Sequence, residues 1–592
     1  QGPQGFRGIM NSGTMPQLTN LRVAQIFEQV ADLLEAKGES PYKVQAYRRV
    51  ARNIGRLEED LHELAAQGRL TEIPGVGTEI EKKIREVLET GKLGYLERLK
   101  AELPGVLTLM EIPGIGPKTA YRLSQELGIR TIEDLEAALQ KGDEFWAKVP
   151  RFTPRLVENI RRGLEAYRRR SPRLPLGQAV IFFEELGRSL AQAGARRVEA
   201  AGSLRRYEET VGDLDLVVCA DPEELAQRLA GEPDVQAAET AGPGWIRVRL
   251  ASGVNADIYV ANEENFGAVL VWATGNLEHL RQLESRLAGA GYKLTGQGLF
   301  GPGGRAVKTP VEEAVYELAG CPYIPPELRA GAEEFGPDVA RRLENLVTLK
   351  DIRGDLQCHT DWSDGGASLE AMVRAAAARG FEYLAITDHS AGRANAGGLN
   401  PDRLTAQRAA IESLNSRLRA EGREIRVLAG IEADIRADGG LDLPPEALAP
   451  LDVVIGSLHT ALTQPPERMT QRLLRAVGSG LIHILGHPTA RLIGSREPVE
   501  FDREAVFRAA AEAGVALEIN ANPDRLDLNP ADIRLARRLG ARFAINTDAH
   551  YPTNFDFIKF GVMMARKAWV CRDEVINTRD LDQLFEWLRR RR

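Results

Sequence analysis

Cysteine is scarce in this chain, with 4 in 592 residues. Cys219, Cys321, Cys358 and Cys571 are scattered without C-x-x-C spacing, so neither a zinc ribbon nor a disulfide framework is indicated and a reducing compartment is expected. No apolar run reaches the roughly eighteen residues of a membrane span, and no signal peptide is readable. No membrane partner and a cytoplasmic location are therefore expected. Positive charge is not in surplus either, since the formal net charge is −7. Any nucleic-acid surface must then be a local patch, masked in the total by carboxylates gathered elsewhere. That charge suits a monomer as well as a dimer, and a monomer is the expected state. What is present is ordinary for a globular protein, 43% hydrophobic and 27% charged, at a length that demands several domains. A Gly-rich opening, residues 1–14, precedes Met15 and reads as an appended segment outside the fold.

The most informative stretch is GSLRRYEETVGDLDLVV, Gly202 to Val218. Asp213 and Asp215 lie two apart in a β-branched, apolar run, so a strand there points both carboxylates to one face. Carboxylates that close call for a cation, and hard oxygen ligands suit Mg²⁺ or Mn²⁺ completed by phosphate oxygens. Asp257, in NADIYV, is a third candidate if a neighbouring strand carries it to the same place. Gly202 and Ser203 offer a backbone N–H and a hydroxyl to a triphosphate, with Arg205 and Arg206 to neutralise it. The whole string resembles the catalytic strand of family X DNA polymerases, the group that includes polymerase beta. The resemblance implies that Asp213, Asp215 and Asp257 are catalytic metal ligands and that Ser203 and Arg206 hold the triphosphate of a deoxynucleotide. It also implies that Asp257 helps deprotonate the primer 3′-hydroxyl.

Upstream, IPGVGTEIEKKI from Ile73 and IPGIGPKTAYRL from Ile112 are two copies of one pattern, an apolar residue and Pro-Gly-x-Gly followed by an amphipathic helix. The glycines Gly75, Gly77, Gly114 and Gly116 permit a tight turn, and the helix start offers free N–H groups to a phosphate, with Lys118 beside the second. These resemble helix-hairpin-helix motifs, which hold DNA backbone without reading sequence. VPRFTPRLVENI, from Val149, has the outline of a third copy without its glycines. Lys43, Arg48, Arg49 and Arg52 gather on an earlier helical segment as a basic face. GVGTEIEKKIREVLETGKL is also similar to the amino-terminal domain of polymerase beta, which implies a possible lyase role for Lys83 as a Schiff-base nucleophile.

Downstream, VWATGNLEHLRQL resembles the family segment that meets the nucleotide's sugar and base, with Trp272, Thr274 and Gly275 matching. Ala273 and Asn276 depart from the usual second aromatic and serine. TPVEEAVYELAGCPYIPPELR, Thr309 to Arg329, is similar to the segment that closes the palm.

Beyond a charged stretch broken by Gly and Pro, the pattern becomes strand–loop–helix. Six of the 8 histidines lie there, and His359, His389, His459, His487 and His550 each follow an apolar or turn-bounded run. Glu432 and Asp548 hold similar positions. Side chains at the ends of parallel barrel strands gather at one mouth, so this set reads as metal ligands. It resembles the polymerase and histidinol phosphatase (PHP) domain, a distorted (β/α)7 barrel, which adds Asp364 and implies Zn²⁺ and/or Mn²⁺, up to three ions. Gln357 stands where the family has a histidine, and an amide oxygen is a weaker ligand for a transition metal. Arg491, in HPTARL, is a candidate for meeting a phosphate.

The expected architecture is multidomain: an N-terminal all-α helix-hairpin-helix region, an α+β nucleotidyltransferase palm with fingertip and thumb, and a C-terminal α/β barrel. The boundaries are 15–100 and 101–175 for the two hairpin domains, 176–330 for the palm and its C-terminal subdomain, 331–352 for a linker, and 353–592 for the PHP metallophosphoesterase domain. The resemblance implies a bacterial family X polymerase that fills short gaps in gapped or nicked DNA during repair. It also implies a metal-dependent 3′→5′ exonuclease, with AP endonuclease or 3′-phosphatase activity as further options. Two reduced forms stay open: a DNA-binding exonuclease with a weak palm, and a polymerase whose barrel is only structural.

Overall fold

The computed structural model describes residues 16–589 apart from 56, 58–60, 91, 111, 148, 170–172, 233–234, 251–252, 332 and 393–396. The opening segment 1–14 and the tip of the basic run at 170–172 lie outside the described residues. The fold divides into two compact units, one running to Pro172 and one from Arg173 onward.

The first unit is all helical. Helix α1 (Pro16–Lys37) packs against α2 (Pro41–Gly55), which buries Val44, Tyr47, Val50, Ala51 and Ile54 at helical spacing. Arg48 does not join the basic face of α2, because its guanidinium spans Glu28, Asp32 and Glu35 of α1 at 2.7–2.9 Å.

Three turns of this unit share one hydrogen-bond ladder. In the first, Ile73 N–H donates to Leu70, Val76 to Ile73, and Glu81 to Gly77 as α3 (Thr78–Thr90) begins. In the second, the donors are Ile112, Ile115 and Ala120, the last to Gly116 in front of α4 (Pro117–Tyr121). The third runs through Val149, Phe152 and Val157, the last to Thr153, ahead of α5 (Pro154–Arg169). Gly75 and Gly114 sit at φ 90° and 88°, and Arg151 takes the same left-handed position at 69°. The glycine-less copy thus keeps the hairpin backbone, with its strain carried by an arginine. Packing helps to hold it there, since a Cβ on Gly163 of α5 would lie 1.9 Å from the Pro113 carbonyl oxygen.

The second unit holds a palm and a barrel. The palm sheet has the order β1-β2-β5-β4-β3, where β1 is Val198–Ala200, β2 Leu214–Cys219, β3 Val235–Gly242, β4 Trp245–Leu250 and β5 Asn255–Ala261. Only β2 and β5 run parallel. The short helix α6 (Gly202–Arg205) precedes β2, and α7 (Phe266–Thr274) and α8 (Leu277–Gly289) follow β5.

The barrel is a seven-stranded parallel sheet in sequence order: β6 Gly354–Cys358, β7 Tyr383–Ile386, β8 Arg426–Asp434, β9 Val453–Ser457, β10 Ile484–Leu485, β11 Ala516–Asn520 and β12 Phe543–Asn546. Strands β7, β9 and β10 read as apolar runs because both faces are covered, whereas β6, β8, β11 and β12 carry buried polar side chains such as Gln357, Glu432, Glu518 and Asn546. The seam between β12 and β6 is closed by a bridge between Cys358 and Ala549 and by Asn577, whose amide donates to Gly354 O at 2.9 Å and Ile545 O at 2.6 Å. The last helix buries Leu584 and Leu588 against Leu356, Tyr383 and Ile484 and stops the bottom of the barrel. Helix α9 (Ile558–Lys567) leaves the other end shortly after β12. Palm residues such as Phe183 and Tyr207 and barrel residues such as Phe507 and Phe560 belong to one apolar cluster.

Candidate active sites

In the palm, Asp215 on β2 lies directly opposite Asp257 on β5, because the two strands pair in parallel register. Asp213 sits one residue before β2 and is exposed. The neighbouring turn is shaped around Asp215, since a Cβ on Gly202, at φ 53°, would lie 1.8 Å from Asp215 Oδ2. Burial, then the carboxylates of Asp257 and Asp213, push Asp215 up to about 7. A cation beside these acids would offset the burial and repulsion that disfavour the charged form of Asp215.

Two arginines lie beside this cluster. Arg247 on β4, opposite Asp257 across the ladder, holds that carboxylate at 2.9 and 3.2 Å. Arg206 is largely buried, with one guanidinium nitrogen donating to Thr274 O and Nε 3.6 Å from Glu208. Arg205 does not face the same way. It is buried, donates to both Glu312 oxygens and to the Thr274 hydroxyl, and shares Glu312 with Arg329. Burial opposes the Glu312 charge, but the two arginines hold it down at about 2. Arg205 therefore builds the palm rather than neutralising a triphosphate. Thr274 is buried, Gly275 has φ 68° beside Arg206, and Trp272 packs edge-on to Tyr259 and close to Gly296. Asn276 caps α8 through His279 N–H.

At the barrel mouth the ligand atoms form three overlapping clusters. His359, Asp364, His389 and His550 make one, His389, Glu432 and His459 a second, and His359, Glu432 and Asp548 a third, each with its atoms within 4.8 Å of one another. His487 Nε2 stands 2.9 Å from Glu432 Oε1 at the edge of the second. Burial works against a proton on His359, yet its hydrogen bond to Asp548 and the surrounding carboxylates raise it to about 9. Burial lowers His389 and His487 to about 4. Glu432 Oε2 and the Nδ1 atoms of His359 and His487 are buried and make no hydrogen bond. Imidazoles and carboxylates converging with buried, unsatisfied atoms fit transition-metal ions.

Supporting groups hold these ligands. Asp434, two residues after Glu432 on β8, lies 3.4 Å from His459 Nδ1, and Asp548 lies 3.4 Å from Arg525. The Gln357 amide is best satisfied with its nitrogen on Glu518, which turns its oxygen toward Asp548 Oδ1 some 3.5 Å away. His483 is not at the mouth; its Nδ1 accepts from Val454 N–H in the wall. Arg491 is likewise turned away and grips Glu209 of the palm at 2.8 and 3.0 Å. The i+2 spacing of Asp434 was visible in IEAD, whereas Arg247 and Arg525 depend on strand register and loop path that carry no local signal.

In the helical unit Gly75, Gly77, Gly114, Gly116 and Lys118 are all exposed at the tips of their turns. Lys83 Nζ lies over the Tyr95 ring, 5.6 Å from its centroid.

Known proteins resemble this chain in sequence. Residues 18–93 match a helix-hairpin-helix domain, 106–166 a SAM-like helix-hairpin-helix tandem, 269–330 the DNA polymerase beta thumb and 355–522 the PHP domain. The chain is 34% identical over 574 residues to the DNA polymerase/3′-5′ exonuclease PolX of Bacillus subtilis, covering 96% of this chain and 99% of that one. A probable phosphatase of Caldanaerobacter subterraneus is 28% identical over 254 residues, 41% of this chain and 93% of its own length. DNA polymerase lambda of Arabidopsis thaliana is 23% identical over 373 residues, 54% of this chain and 66% of its own. The chain belongs to the PolX family, the family X DNA polymerases that carry a C-terminal PHP domain.

Proposed function

We propose that this protein is a DNA polymerase that fills short gaps during repair and trims 3′ ends with its barrel, acting as a cytoplasmic monomer on gapped or nicked DNA. The observation that carries the reading is the in-register pairing of Asp215 with Asp257, with Asp213 at the lip of the same strand. These three would hold Mg²⁺ or Mn²⁺, which when bound supplies charge for nucleotidyl transfer. Ser203 and Arg206 take the triphosphate, Asp257 accepts the proton of the primer 3′-hydroxyl, and Trp272, Thr274 and Gly275 lie under the sugar and base. Gly75, Gly77, Gly114, Gly116 and Lys118 hold the DNA backbone. Lys83 is the group to test for lyase chemistry, by borohydride trapping on abasic DNA.

In the barrel, His359, Asp364, His389, Glu432, His459, His487, Asp548 and His550 would hold Zn²⁺ and/or Mn²⁺, which when bound supplies an activated water for phosphoester cleavage. All three ligand clusters form without Gln357, which favours a working barrel over a purely structural one. The test is one gapped duplex with a labelled primer strand, incubated with Mn²⁺ with and without deoxynucleotides. Extension with nucleotides and shortening without them is the expected result. Shortening alone would remove the palm from the reading, and extension alone the exonuclease.

A further inference from the structure

The turn that follows the triphosphate-binding arginine is bolted to the barrel. Lys567, the last residue of α9, donates to the carbonyl oxygen of Arg206 at 2.9 Å and meets Glu208 Oε1 at 3.1 Å. The same Glu208 oxygen is 3.6 Å from Arg206 Nε, so one carboxylate lies between two cations from different domains. On either side the attachment continues. Tyr207, at φ 53°, stands edge-on to Phe560 of α9, and Glu209 is gripped by Arg491. Lys567 is 12% exposed and Arg206 15%, against 39% for Glu208. The two cations are therefore largely shielded from water, while Glu208 keeps a face in solvent that weakens both of its pairings.

This geometry creates a competition. An arginine neutralised by a neighbouring carboxylate is a poorer partner for a phosphate, and a lysine that occupies the carboxylate relieves it. We propose that Lys567, a barrel residue, is a positioning residue for nucleotide addition in the palm: it draws Glu208 off Arg206 and fixes the backbone of the turn that presents Arg206 to the triphosphate. The inference rests on the assignment of the triphosphate to Arg206. It makes the barrel part of the polymerase irrespective of its own metal chemistry, since Lys567 lies at the far end of α9 from His550.

The test is steady-state incorporation on a gapped duplex by K567M, K567R, E208Q, the K567M/E208Q pair and R206A, each also assayed for 3′-end shortening without nucleotides. K567M is expected to raise KM for the deoxynucleotide about tenfold with kcat changed less than about twofold, the signature of lost ground-state binding. K567R should stay near the parent. E208Q should leave KM unchanged or lower it, and the pair should recover much of the K567M defect, because the competing carboxylate is gone. Shortening by K567M should equal that of the parent, which excludes a damaged barrel. An unchanged KM in K567M, no recovery in the pair, or a raised KM in E208Q would overturn the role of Lys567. If R206A itself left KM unchanged, the triphosphate assignment would fall, and this inference with it.

Discussion

The two candidate metal sites are built in opposite ways. The palm brings three carboxylates to one strand pair, leaves Asp213 in water, and allows Arg247 and Arg206 to stand in for missing positive charge. The barrel surrounds fully buried His359 and nearly buried Glu432 with preformed ligands from separate strand ends, including Asp548 and His550 after β12. On the proposed function the palm would take its ions together with the phosphate of its substrate, whereas the barrel's candidate ligands already lie together. The first should respond to its substrate-facing loops and the second chiefly to its ligands.

The strongest way to break this division is to remove one site at a time. D213N/D215N is expected to lower incorporation by at least roughly a thousandfold while 3′-end shortening persists, as for other catalytic groups that act as a unit. H359A should do the reverse, lowering shortening by roughly a hundredfold or more, since His359 belongs to two of the three clusters. Both are read from the same labelled duplex. Loss of both activities in either variant would mean that the two sites are not separable.

A finer test is G202A. Its added Cβ would meet Asp215 Oδ2 at 1.8 Å, and the left-handed backbone at that residue disfavours any side chain. The carboxylate must then shift by about 1 Å or more, which is expected to cost roughly a hundredfold in incorporation. Shortening and the thermal midpoint of the barrel should change little. Near-parent incorporation by G202A would show that the position of Asp215 is not held by that turn.

The palm also depends on charge buried away from its metal site. Glu312 lies between Arg205 and Arg329, and their pull outweighs burial and brings its carboxyl from 4.5 down to about 2. A folded value below the unfolded one adds stability that is complete above pH ~4.5 and is lost as pH falls toward ~2, worth about 3 kcal/mol in full. E312Q leaves two buried guanidinium groups without their anion, so a loss of about 3–5 kcal/mol is expected near pH 7. The melting midpoints of parent and variant should begin to converge below about pH 5 and meet only as the pH approaches ~2. A gap independent of pH would remove the ion pairs from the account.

These contrasts mark how much was legible. The convergence of the palm aspartates and of the barrel's candidate ligands was legible because strand periodicity and strand-end position are local properties of sequence. Hairpins at Gly75 and Gly114 announced themselves by glycine, whereas the copy at Arg151 had lost that signal and showed only an outline in sequence, which the hydrogen-bond ladder completes. Arg205 and Arg206 look alike in sequence, yet α6 sends one into the palm core and the other to the site. Strand β3 carries no such signal, because its eight residues, VQAAETAG, are mostly exposed and have no apolar face. The contacts of Lys567 and Arg491 with the palm join residues more than two hundred positions apart, and no local pattern encodes such pairs.

The smallest effect is expected at Gln357, where the two kinds of site come closest in chemistry. With its nitrogen on Glu518, the amide presents an oxygen toward Asp548, a pairing of hard donors beside imidazoles. Replacing that oxygen by imidazole nitrogen favours softer ions, so Q357H should shift the metal that best supports shortening from Mn²⁺ toward Zn²⁺. Because the three ligand clusters stand without this residue, the change should be limited to about tenfold in metal affinity, read by titrating each ion into chelator-treated protein. Incorporation by the palm should not respond. An unchanged metal preference would mean that the amide belongs to the wall of the mouth and that the ligands already in place determine which ion the barrel uses.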